Sequence, residues 1–168
     1  MTVDYHYCYT EGMKITDAKW LAETLMKKHG VSDWTFKFDS GKRRFGSCRP
    51  SRKIITLSKI MTEINSELEV MKTILHEIAH ALTPGDHHGS AWAAKCVTLG
   101  IAPARCYDAA DAGRSVVTVQ PNFYYGCSNC GQRISRFRRS RRGVACSACC
   151  RKFNGGKYDP KYILVEVP

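Results

Sequence analysis

The stretch TILHEIAHALTPGDHHGSAW, residues 73–92, decides how this chain is read. His76, Glu77 and His80 spell H-E-x-x-H, and on a helix a spacing of four places both histidines one turn apart on a single face. Two imidazoles so placed can grip one zinc ion, while Glu77 can reach a water on the metal without being a ligand itself. A catalytic zinc usually takes three protein ligands and keeps its fourth position open, so the third must come from beyond this turn. Thr83-Pro84-Gly85 breaks the helix, and His87 and His88 follow the break. Spacing leaves both histidines open as the third ligand.

The helix itself is legible upstream. Ser66-x-x-Glu69 reads as a capping box, and Leu68, Met71, Leu75, Ile78 and Leu82 recur every three or four residues as an expected buried stripe. The histidines fall on another flank, which can line a cleft. The competing reading, a chance motif with solvated histidines, is weakened by the helical context, the breaker and the histidine after it.

A second metal signature lies near the C-terminus. Cys127, Cys130, Cys146 and Cys149 form C-x2-C-x15-C-x2-C, a spacing that suits two knuckles closing on one tetrahedral zinc. The bland alternative is four free thiols. No secretory signal or apolar run long enough to span a membrane is visible, so the expectation is a chain kept in a reducing compartment, where cysteines favour metal over disulfides. The other five, Cys8, Cys48, Cys96, Cys106 and Cys150, show no pairing pattern and are assigned no role.

The 168 residues carry a formal charge of +11, concentrated late in the chain. Residues 121–168 hold ten Lys/Arg against Asp159 and Glu166, a balance of +8. Arginines at 133, 136, 138, 139, 141 and 142 form the densest part, the electrostatic footprint of a polyanion, with nucleic acid the commonest. A solvated loop is the alternative. Phe123, Tyr125, Phe137 and Phe153 either pack around the knuckles, the reading favoured for most of them, or in one or two cases stack on unpaired bases, with Tyr125 and Phe137 the candidates.

Taken in order, Thr16 or Asp17 caps a first helix that ends near Gly30. Trp34, Phe36 and Phe38 alternate as a strand, and residues 43–49 and 52–58 supply two more before the motif helix. Residues 90–99 form another helix, with Trp92, Ala93, Cys96 and Val97 inward. A substrate backbone could pair with a free strand edge of the small sheet, and whether residues 53–58 supply that edge is open.

The run HEIAH, a short turn, and then His88-Gly89-x-x-Trp92 resembles the SprT-like zinc metallopeptidases, which include the Spartan proteases acting on DNA–protein crosslinks. The resemblance extends to a C-terminal zinc ribbon introduced by an aromatic, as in Tyr125-Gly126-Cys127. It implies His88 as the third ligand and an α+β fold. That fold would be a small zincin-like metalloprotease core of helices with a short β-sheet over residues 1–102, a connector at 103–115 and a small β zinc ribbon at 116–168.

It also implies a metalloendopeptidase with two zinc ions, one catalytic and one structural. DNA, single-stranded or in DNA–protein complexes, and protein substrates are the implied partners. The chain would be a cytoplasmic or DNA-associated monomer, not a membrane protein. Two rival readings are a non-catalytic DNA-binding module with two structural zincs and a soluble peptidase whose basic ribbon docks acidic protein.

Overall fold

The computed structural model describes residues 12–104 and 116–168. Most of the expected N-terminal arm and connector, with Cys8 and Cys106, lies outside the described residues. The chain forms two compact units, Met1–Val119 and Gln120–Pro168.

The first unit opens with α1 (Ile15–Lys28). Its cap position is Lys14, two or three residues before the expected one, and Asp17 lies inside the first turn, where a carboxylate complements the helix dipole. Ala18, Ala22 and Met26, four apart, form the buried face. Three short strands follow: β1 (Thr35–Asp39), β2 (Gly46–Arg49) and β3 (Ile54–Ser58). β3 lies in the middle of the sheet, parallel to β1 and antiparallel to β2. The possibility that residues 53–58 offer a free edge is therefore closed, because both sides of β3 are paired. β1 and β2 are the edges.

After the short helix α2 (Lys59–Glu63) comes the motif helix, α3 (Glu67–Leu82). Ser66 caps it by accepting from the Glu69 N–H. The buried stripe is rotated from the expected one: Val70, Ile74 and Ile78 are fully buried, whereas Leu68 is 52% exposed. Leu68 is in the first turn of the helix, and Thr73 and Glu77 take buried positions instead. Phe45, Ile55 and Leu57 complete the core, where each fully buried apolar side chain contributes roughly 1.5–3 kcal/mol. α4 (Ser90–Thr98) buries Trp92 and Cys96 but leaves Val97 66% exposed, contrary to expectation, because it lies five positions after Trp92, which carries it past the contact face.

Residues 116–119, expected to open the ribbon as strand, pack with the first unit and are not strand. The buried Asn65 amide accounts for this. It donates to the Val117 carbonyl at 2.9 Å and accepts from the Val117 N–H at 2.7 Å, standing in for a strand partner, and also donates to the Met61 carbonyl.

The second unit is a three-stranded antiparallel sheet, ordered β5 (Arg133–Arg136), β4 (Phe123–Cys127), β6 (Leu164–Val167). A helix, α5 (Ser147–Phe153), sits within this ribbon and starts from Cys146 as its cap residue, so the second knuckle is a helix start rather than a strand turn. Among the described residues no helix is long and apolar enough to cross a membrane.

Replacing Asn65 by Ala strips Val117 of both backbone partners. A destabilisation of about 1–3 kcal/mol is expected in urea melts, with loss of hydrogen-exchange protection at the Val117 amide; unchanged protection there would contradict the clamp.

Candidate metal centres

Helix α3 delivers His76 and His80 on one face, with Glu77 a little over a quarter-turn away on the buried side. The chain then reverses through Gly85 (φ 87°) and His87 (φ 52°), both left-handed. Asp86 fixes the turn: its carboxylate accepts from the Trp92 N–H at 2.7 Å and its carbonyl from the Gly89 N–H at 2.9 Å. Position 89 needs glycine, since a Cβ there would lie 2.5 Å from the Asp86 carboxylate.

The reversal separates the two candidate histidines. His87 is exposed, whereas the His88 ring comes 5.5 Å from that of His76 and 4.7 Å from that of His80. One nitrogen from each of His76, His80 and His88 lies within 4.8 Å of the others. Trp92 underlies all three imidazoles, stacked on His80 at 5.3 Å and edge-on to His76 and His88 at 4.9 and 4.6 Å. An apolar wall of this kind holds the rings in place and keeps water from one side of the site.

The donor geometry fits zinc. Two nitrogens bound at about 2.0–2.1 Å on a tetrahedral ion are about 3.3–3.4 Å apart, and the Nε2 atoms of His76 and His80 are 3.2 Å apart. Burial, with His88 and His87 nearby, lowers His80 to about 4, so its imidazole is neutral at neutral pH, the form that ligates. No fourth His, Cys, Asp or Glu joins this group among the described residues.

Glu77 is only 5% exposed. Burial pushes its carboxyl up to about 8, with the Arg44 guanidinium pulling the other way. β2 packs against it as well, through residues that no motif or spacing marks. A Cβ on Gly46 would fall 2.7 Å from Glu77 Oε1, 2.8 Å from its Cγ and 3.0 Å from Thr73 Cγ2, so only glycine leaves room for the carboxylate. Cys48, on the same strand, is pushed up to about 12 by burial and the Glu77 charge, which keeps it a thiol. Arg44, in the loop before β2, is oriented by Asp39 at 2.7 Å.

In the second unit Cys127, Cys130, Cys146 and Cys149 gather with all four sulfurs within 4.8 Å. Ligands at about 2.3 Å on a tetrahedral zinc stand about 3.8 Å apart; Cys127–Cys149 is 3.8 Å and Cys130–Cys146 is 3.6 Å. Cys149, not its neighbour Cys150, joins the group, while Cys150 is buried in the ribbon core. The Cys149 N–H lowers Cys146 to about 7, favouring the thiolate that binds metal.

The SprT-like family model matches residues 17–109, 93 of the 168 in the chain, a stretch that contains His76, Glu77, His80 and His88. This chain belongs to the SprT-like family. No curated protein matches it. In this SprT-like protein both the three-histidine and the four-cysteine groups could hold zinc, the second lying beyond the matched stretch.

Of the six arginines in the run, Arg133, Arg138, Arg139, Arg141 and Arg142 are exposed and Arg136 is half-buried. Arg139 is already engaged, paired to Glu166 at 3.0 Å and lying over the Phe123 ring. Tyr125 is only 8% exposed and its hydroxyl accepts from the Ser140 N–H, so its ring belongs to the ribbon core and presents no face for a base. Phe137 is half-buried, and Phe153 is exposed but stacks on Tyr162.

The Glu77 carboxyl carries a pH signature. An unfolded glutamate titrates near about 4.3, so between that value and about 8 the metal-free folded chain holds a proton that the unfolded chain releases. Stability of the metal-free protein therefore falls as pH rises through that window. Metal-free Glu77→Gln is expected to outlast the metal-free parent in urea at about pH 8, the gap closing toward about pH 5; parallel profiles for the two proteins would contradict this.

Proposed function

We propose that this SprT-like protein is a zinc-dependent endopeptidase that hydrolyses peptide bonds of DNA-associated proteins. The observation that carries the reading is the pairing of three convergent imidazoles with a buried carboxylate one residue from the first of them. A closed structural zinc site would normally have four protein ligands, and three leave a position for substrate and water.

A zinc ion held by His76, His80 and His88 would polarise the scissile carbonyl and acidify a water molecule. Glu77 takes the proton from the attacking water and passes it to the leaving amine, a role that suits a carboxyl whose burial brings it near neutral pH. β2 is an edge strand that packs its Gly46 against Glu77, so a substrate backbone added to that edge would run beside the carboxylate. The cysteine ribbon would take its stability from its own zinc and supply the DNA contacts through its exposed arginines.

Glu77→Gln is expected to keep both zinc ions by elemental analysis and to lose cleavage of casein or a histone by about 100-fold or more. Equal cleavage by variant and parent would remove Glu77 from the mechanism, and a parent inactive on every protein tested would leave a zinc-containing DNA-binding module. Single-stranded DNA should accelerate histone cleavage by the parent; equal rates with and without it would favour a peptidase that works independently of DNA.

Gly46→Ala tests the same centre from the strand side. The added methyl would displace the Glu77 carboxylate, so kcat should fall at least about tenfold with zinc content unchanged. Full activity in this variant would mean that the carboxylate has room to work elsewhere.

A further inference from the structure

The ribbon carries a cavity of about 200 Å³ whose lining includes Arg136, Arg141, Arg142, Ser140, Tyr125 and Leu164. Three of its lining residues are arginines and none is acidic. The two acidic residues of this unit are occupied elsewhere: Glu166 pairs with Arg139, and the Asp159 carboxylate accepts from the Lys161 N–H at 2.9 Å, capping a 3-10 turn. Like charges gathered without a counter-charge repel one another, so the arrangement is stabilised when an anion enters.

Arg136 makes the demand specific. It stands at the end of β5, opposite Phe123 on β4, and its Nε is buried with no hydrogen-bond partner among the described residues. Buried donors are nearly always paired, so a guanidinium left one bond short here gains from an acceptor bound beside it in the cavity. The loop carrying Arg141 and Arg142 is held in shape. The Ser140 N–H donates to the Tyr125 hydroxyl at 3.1 Å, and the Ser140 hydroxyl donates to the Arg142 carbonyl at 2.7 Å. Gly143 lets the loop close down, since a Cβ there would come 2.5 Å from Ile163 Cδ1.

Planar guanidinium forks match phosphate oxygens two at a time. Three of them suit a dianion with three free oxygens, a phosphate monoester, better than a mid-strand diester with one charge and a chain leaving on each side. Exposed Arg133 and Arg138 on the same run can meet further phosphates of the strand that follows. We propose that this cavity binds the terminal phosphate of a nucleic-acid strand. The proposal deepens the DNA reading above and rests on it for the source of the phosphate.

The test uses the full-length zinc-loaded protein and a single-stranded DNA of about 12 nucleotides, within the site size of small binding modules. The oligonucleotide carries an internal fluorophore and a 5′-phosphate, a 3′-phosphate or hydroxyls at both ends. Anisotropy at constant ionic strength should show one phosphorylated form binding about tenfold tighter than the hydroxyl form, with inorganic phosphate competing away the difference. Arg136→Gln should erase that preference. Because Arg136 is half-buried in the sheet, Arg142→Gln on the exposed loop serves as a second variant and should reduce the preference while zinc content stays unchanged.

Equal affinity of the parent for all three oligonucleotides would overturn the cavity proposal and leave the DNA reading intact. Failure of the parent to bind any of them would overturn both. A phosphoserine peptide binding more tightly than the phosphorylated strand would assign the cavity to a protein ligand and overturn it as well.

Discussion

Helix α3 must satisfy two environments within one turn, and the rest of the first unit follows from that demand. Val70, Ile74 and Ile78 press into the sheet, where leaving water is favourable, while His76 and His80 face outward with nitrogens available for a ligand. Glu77 lies at the boundary, on the buried side but next to the first histidine. Because the helix is anchored by its apolar face and Trp92 packs against all three rings, packing constrains the directions of the imidazoles. Packing that already constrains three imidazoles would lower the cost of ordering them around an ion.

Two further elements close on this helix from opposite sides. The reversal after Thr83 turns the chain through two left-handed residues and places His88 over the metal side, with Asp86 as the pin and Trp92 as the floor. From the sheet, β2 offers a residue with no side chain where Glu77 needs space, and Arg44 supplies a positive charge that partly offsets the cost of burying the carboxylate. A charge held in such a pocket is poised between its two protonation states. That condition suits proton transfer better than an exposed glutamate would.

The ribbon unit is built on a different balance. Its buried residues are few, and four of them, Cys127, Cys146, Cys149 and Cys150, are cysteines. With so little apolar surface to remove from water, an ion shared by the knuckles would add the cross-link that such a small unit lacks. Its arginines are not equivalent once folded. Arg139 is neutralised by Glu166, Arg136 is drawn half inside, and the remainder stay in solvent, so a charge run that is uniform in the sequence becomes a graded surface.

Local features were readable because they depend on neighbours in the chain. The Ser66 cap, the helix through the H-E-x-x-H residues, the break at Pro84-Gly85 and the paired cysteine knuckles all express spacing and backbone preference, which the order of residues carries directly. The choice between His87 and His88 needed the actual φ of one residue in the reversal. The burial of Tyr125, the exposure of Leu68 and Val97, the central place of β3, the Asn65 clamp on Val117 and the room left by Gly46 for Glu77 depend on residues brought together from distant parts of the chain. Sequence alone determined which groups could bind metal and roughly where the helices start and stop. Tertiary packing decided which side chains meet, because contact between residues far apart in the chain is set by the shapes and burial of whole elements and leaves no periodic mark in either partner.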